Sequence, residues 1–225
     1  VAELVLVRSF TIMRALITFV ILEASMIGFA GANPIAIDST RRPISLVAET
    51  VDIAVHATQS VVSGAYTFRQ GEDEVPGERP DHVIIELPVI VHGQQNFDAL
   101  KSSVAASVRI GKRVFHPSGS SAGSPLRGLP SDWKMCFLEF EIPLRAVRPE
   151  FTAAIRYTQS HLPGGVSAYY PIEPPVSRAV VRYTSAQSIS LKLISKRVKV
   201  VESQPTQIAI QPEHNKLILV RANKT

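Results

Sequence analysis

The sequence predicts an all-β protein: an antiparallel β-sandwich of two packed sheets, immunoglobulin-like or jelly-roll-like, with at most one or two short helices besides an N-terminal signal-peptide helix. Three observations predict it. Apolar side chains recur at every second position in many short runs, the period that gathers one set of residues on one face of a strand. Clusters of Gly, Pro and Ser punctuate those runs, which leaves scarcely any room for helices. The apolar positions are mostly Val, Ile and Leu and the polar ones are rich in Ser and Thr, residues suited to a pleated, half-buried surface.

The first 32 residues read as an address. Arg14 precedes an apolar run from Ala15 to Leu22, and Ala30-Gly31-Ala32 then supplies the small-x-small pattern of a signal-peptidase site. This is the tripartite order of a secretory signal peptide, with cleavage expected between Ala32 and Asn33 and a periplasmic or secreted product. Met13 fits a translation start, with Val1 to Ile12 an upstream extension. The apolar run falls well short of the roughly 20 residues that cross a bilayer, so membrane association is expected only through an uncleaved signal peptide. Residues 33–225 then form the β-sandwich domain.

The chain has 225 residues, 45% hydrophobic and 19% charged, enough apolar surface for a core and too little charge for whole-chain disorder. Cys136 is the one cysteine, which rules out an intrachain disulfide and a cysteine-based metal cage, and its neighbours Met135, Phe137 and Leu138 make it a small core hydrophobe. The net charge is +5. Its excess sits late in the chain, at Lys192, Lys196, Arg197, Lys199, Lys216, Arg221 and Lys224. Such a basic edge suits an anionic polymer or an acidic partner, and equally protects an edge strand. Export and the lack of interleaved aromatics exclude nucleic acid.

The clearest pair of strands runs from Glu49 to Arg69. Val51, Ile53 and Val55 alternate with Asp52, Ala54 and His56, and Val62, Gly64, Tyr66 and Phe68 alternate beyond a break at Ala57-Thr58-Gln59-Ser60, which predicts an antiparallel hairpin. The stretch from Gly71 to Asp81 is an acidic loop interrupted by Gly and Pro, without the ligand spacing of a calcium loop. His82 to Val91 is an almost unbroken apolar strand in which Pro88 marks a bulge or an edge. Asn96 to Val104 predicts a short helix, capped by Asn96, with Phe97, Leu100 and Val104 on one face. Ser107 to Phe115 alternates around a turn or bulge at Gly111-Lys112, and His116 to Asp132 is a long Ser/Gly/Pro loop.

Trp133 to Leu144 places Cys136, Leu138, Phe140 and Ile142 on one face, and Phe151, Ala153, Ile155 and Tyr157 repeat the pattern. These two runs are expected to pair or to face each other across the core. Six further strands follow: Ser167 to Ile172, Ala179 to Tyr183, Ser188 to Ile194, Arg197 to Val201, Thr206 to Ile210 and Lys216 to Val220. The last five are expected to make a second sheet or a small C-terminal lobe from about residue 176.

Leu46 to Val55, with Gly64-Ala65-Tyr66-Thr67-Phe68 and Glu86-Leu87-Pro88-Val89, resembles the N-terminal β-sandwich of exported bacterial proteins belonging to domain-of-unknown-function families. The resemblance covers roughly a quarter of the chain, mainly residues 46–89, and rests on strand pattern. It implies an envelope or secreted location and lends no catalytic residue.

Gly119-Ser120-Ser121-Ala122-Gly123 matches the Gly-x-Ser-x-Gly string of serine hydrolases. That string works where a strand delivers the serine to a strained turn and a helix follows, and the composition here produces it without either. The histidines at 56, 82, 92, 116, 161 and 214 form no short ligand pair, leaving a cross-loop site such as His116 with His161 to coordinates. Glu139 and Glu141 share one strand face, where solvated charge accounts for them better than glycosidase chemistry. Trp133, Tyr170 and Tyr183 are the candidates for a ligand surface, and Tyr169, adjacent to Tyr170, must point the other way.

These readings favour an exported, non-catalytic structural or interaction module without cofactor or metal. Its expected partner is another envelope protein or an anionic or carbohydrate polymer. The alternative is a carbohydrate-binding module with two or three coplanar exposed aromatics. A weaker one is a secreted hydrolase with Ser121 or a carboxylate beside a histidine in a cleft.

Overall fold

The alternation at Glu49 to Arg69 becomes the longest hairpin of the fold. β2 (Pro43–Val55) and β3 (Gln59–Arg69) pair from Ser45 with Arg69 to Val55 with Ser60, interrupted by a bulge between Leu46 and Ala48. The computed structural model describes residues 34–71, 80–92, 96–121, 125, 132–147, 149–169, 171, 179–196, 198–213 and 217–225. The expected signal peptide, its cleavage site at Ala32 and Asn33, and most of the acidic loop lie outside the described residues.

β1 (Ile35–Asp38) and β4 (His82–His92) lie antiparallel, as do β4 and β8 (Trp133–Pro143) and the short β7 (Gly119–Ser121) with β8. On the other flank of β3 runs β9 (Glu150–Ser160), then β5 (Ser107–Ile110) and β6 (Arg113–Phe115), the last two joined at Gly111, whose φ of 58° suits a residue without a side chain. β1 also pairs with β2, so these strands form one continuous sheet in the order β6-β5-β9-β3-β2-β1-β4-β8-β7. The sheet curls, because β4 approaches β9 and β6 approaches β8 although the strand order sets them far apart. β8 and β9 therefore face each other across the core instead of pairing.

The fold is thus mainly antiparallel β with one α-helix among the described residues. One pairing departs from antiparallel: β11 (Val181–Ser185) lies parallel to β2, from Val181 beside Val51 to Ser185 beside Val55. β14 (Gln207–Gln211) and β13 (Lys199–Gln204) extend the large sheet from β11. The remaining late strands, β10 (Val166–Tyr169), β15 (Ile218–Lys224) and β12 (Ile189–Leu193), make a three-stranded sheet in that order. The late strands are therefore divided between two sheets, and Tyr183, Ile208 and Val220 enter the same apolar cluster as Val51 and Phe140. A second cluster fills the other face of β4 and β8, where Ile90, Trp133 and Met135 meet Leu162, Val166 and Ala168.

Local rules hold where the backbone is most constrained. α1 (Phe97–Val104) starts as expected, the Asn96 Oδ1 accepting the Ala99 N–H at 2.9 Å, and buries Leu100 and Val104 against the core. Pro88 makes no bulge against β8, where it lies opposite Phe137 in an unbroken register, and on the other flank the described pairing with β1 reaches only Glu86. Gly64 is required by a close approach. A Cβ on it would lie 2.3 Å from the Tyr66 ring and 2.5 Å from its hydroxyl, and that ring is buried and has nowhere to move.

Gly64→Ala is therefore expected to cost about 1–3 kcal/mol by overpacking. Chemical denaturation checks this. The cost should shrink in a Tyr66→Leu background, since the two changes share one space.

Candidate functional site

On the outer face of the large sheet the alternation leaves a band of short side chains. Ser107, Arg156, Ser63, Asp52 and Arg182 lie in one cross-strand row, and Arg109, Ala154, Ala65 and Thr50 in the next. The small residues sink below the arginines and leave an open groove of about 500 Å³, with Val114, 54% exposed, at its rim. Arg109 and Arg156 are exposed diagonal neighbours on this face, and among the described residues neither forms an ion pair with a carboxylate. Asp52 meets Arg182 at 3.9 Å at the far end. Two adjacent guanidinium groups repel, so an incoming anion relieves that repulsion as well as accepting their hydrogen bonds.

The inner face of the same strands is also polar at one point. Glu49 lies opposite Tyr66, and the hydroxyl groups of Tyr66, Tyr157, Tyr169 and Tyr183 are all buried, those of Tyr66 and Tyr169 close to each other and those of Tyr157 and Tyr183 without a hydrogen-bond partner among the described residues. Tyr66 and Tyr169 lie near enough for each to sense the other and Glu49. Burial raises all four phenols well above their ordinary range. The same burial pushes the Glu49 carboxyl up to about 7, since an apolar surrounding disfavours the charged form.

The histidines are dispersed. The His161 Nε2 lies 2.9 Å from the Ser60 Oγ, which in turn bonds the Ser167 Oγ at 2.9 Å and so ties β3 to β10. Burial, then the charge of His56, lowers the His161 pKa. Ser60 is buried, and among the described residues no carboxylate bonds the His161 imidazole. His116 is exposed, and the described hydrogen-bond partner of the His161 imidazole is Ser60. His92 bonds Asp132 at 2.5 Å and stacks edge-on to Trp133 at 5.3 Å, while His82 meets Asp81. No group of three or more His, Cys, Asp or Glu able to hold a metal occurs among the described residues.

The residues singled out from the sequence are mostly not surface groups. Trp133 is 5% exposed and Tyr183 fully buried, so neither offers an open stacking platform; each falls on an alternate that faces a second apolar layer. Tyr170 lies outside the described residues. Ser121 ends β7 and its side chain bonds no histidine among the described residues. Glu139 and Glu141 share the outer face of β8, and Glu86 sits directly opposite Glu139. Burial, then the neighbouring Glu139, raises the Glu86 pKa, which Arg41 at 3.2 Å opposes. Lys192 and Arg221 lie directly opposite each other on exposed alternates of β12 and β15.

The sequence reasoning missed Arg109 and Arg156. The signal was Ser, Ala and Thr on the outward alternates of three strands, which marks a sunken floor only after the register is known.

No family model matches the chain, and no curated protein matches it. Among solved structures, one from Legionella pneumophila named a "putative nutrient binding protein" is similar at a TM-score of 0.47 and 12% identity, over 87% of this chain and 71% of that one.

Glu49 gives a pH prediction. The folded protein holds its proton up to about 7, against 4.5 ordinarily. Folding therefore gains from protonation at low pH and loses that gain as pH rises through this window, by ~1–3 kcal/mol once partial exposure is discounted. His161, shifted down, acts in the opposite sense and weakens the fold as pH falls. Urea midpoints of wild type and Glu49→Gln compared from pH 4.5 to 8 isolate the Glu49 part: the variant should match wild type at the acid end and exceed it at pH 8.

Proposed function

We propose that this protein is an exported, non-catalytic binding module, a layered β-sandwich scaffold that holds an acidic polymer or the acidic face of an envelope protein in its outer groove. The observation that carries this reading is the pair Arg109 and Arg156, set side by side above a floor of Ser, Ala and Thr with no carboxylate partner among the described residues. Guanidinium groups suit carboxylate, sulfate and phosphate because their fork matches two oxygens at once. A floor without bulky side chains lets a chain lie close to the sheet. Export is supported by the order of Arg14, the apolar run and Ala30-Gly31-Ala32. The carbohydrate-module alternative finds less support, because the exposed large hydrophobic residues among those described are Val114, Val200 and Val201, none aromatic.

Binding of polygalacturonate and of poly-glutamate, followed by calorimetry at two salt concentrations, tests the reading. Affinity should fall as salt rises, and Arg109→Gln and Arg156→Gln should each cost roughly tenfold, about 1.4 kcal/mol for a charge-assisted hydrogen bond. Unchanged affinity in both variants would reject the groove. Separately, amino-terminal sequencing of protein recovered from the periplasm or medium should begin at Asn33, and a product retaining residue 14 would reject export by cleavage.

A further inference from the structure

A second, smaller cavity of about 70 Å³ opens where the end of β4 meets the end of β9 and the last turn of α1. Its lining takes Ile90 and Trp133 from one face of β4 and β8, Val89, Val91 and Val104 from the other, and polar groups from Gln159 and Ser160. Trp133 is the decisive residue: it is 5% exposed, and its indole N–H has no hydrogen-bond partner among the described residues. A buried donor of this kind is rare in folded proteins and is satisfied by something other than protein when it lines a cavity. Trp133 is directly paired with His92, whose Nε2 is already taken by Asp132, and the Gln159 Nε2 donates to the Ala168 carbonyl at 3.1 Å.

From this geometry we infer that the cavity is a binding site for a small, neutral hydrogen-bond acceptor, a short amide or ketone whose carbonyl oxygen takes the Trp133 N–H while its alkyl part rests on Ile90, which shares the Trp133 cluster. Size sets the upper limit. One water needs about 10–15 Å³ on the same measure, so the space suits a molecule of roughly three to five non-hydrogen atoms. Charge sets the class. The titratable side chain in the lining is His92, paired with Asp132, so no unbalanced charge is present to offset the burial of an ion. This site is separate from the arginine groove and takes a different ligand, so it stands or falls independently of the function proposed above.

The sequence makes the test direct, because Trp133 is the one tryptophan. Its indole gives a single resolved ¹H–¹⁵N signal. Titration of the full chain with acetamide should move that signal downfield to saturation, whereas acetate, of the same shape but charged, should not. In Trp133→Phe, the acetamide affinity read from the backbone signals of Val91 and Ser160 should fall about tenfold, the effect of one lost hydrogen bond to a buried donor. Should that variant fail to fold, Ser103→Leu, on the helix surface at the cavity mouth, should abolish the saturable shift. An indole signal indifferent to acetamide, meaning that the cavity holds water only, would overturn the inference. So would an equal response to acetate, or an undiminished response in Ser103→Leu.

Discussion

β2 carries the fold because it has more strand to offer than either neighbour on its second flank can use. β3 follows it along nearly its whole length, while the opposite flank is shared: β1 takes Pro43 and Ile44 at one end and β11 takes Val51 to Val55 at the other. Between those two claims the sheet forks. One arm continues through β4 and β8, the other through β14 and β13. A sheet that splits around one strand cannot stay flat, and the right-handed twist of each arm turns them apart and over. The curl that brings β4 toward β9 follows from this division.

The fork also explains why polar groups lie where an apolar core is expected. Glu49 falls in the undivided part of β2, beyond the bulge and before β11 begins, with its side chain on the same face as Val51 and Ile53. Tyr66 opposite it leans over Gly64, so its hydroxyl reaches along the sheet toward the row that holds Tyr157. Tyr169 arrives from the three-stranded sheet. The phenols thus fill the space that two diverging arms would otherwise leave empty. Rings supply the volume, and the hydroxyl groups carry a desolvation cost of ~1–3 kcal/mol each wherever no partner is found. A core built this way is well filled yet sensitive to whatever changes the charge on Glu49.

Much of the fold was legible because period-two alternation is a local property. Val51, Ile53 and Val55, Phe140 and Ile142, and the Asn96 cap all read correctly from neighbours a few residues away. What could not be read was the pairing between distant strands. Nothing near Val181 says that it lies parallel to Val51, and nothing near Ser60 says that His161 meets it. The burial of Trp133 and Tyr183 was hidden for the same reason. Trp133 sits on a strand covered on both sides, and Tyr183 points to the covered face of a strand whose other face is exposed at Arg182 and Thr184; which faces acquire a covering layer is invisible to alternation within one strand.

The same blindness concealed the groove. Outward positions are normally read as solvated and uninformative, but an outward position acquires shape once its neighbours in the next strands are known. Ser63 between Arg156 and Asp52 is part of a floor only because β9, β3 and β2 are in that register. A one-residue slip would turn Arg156 inward and Tyr157 outward, destroying core and groove together. The buried face therefore fixes the arrangement of the exposed one: the apolar cost of a slip holds Arg109 and Arg156 in place, and no direct contact between the arginines is needed for it. A binding surface of this kind can change its charged residues freely while its geometry is maintained from behind by Ile155, Tyr157 and Val62.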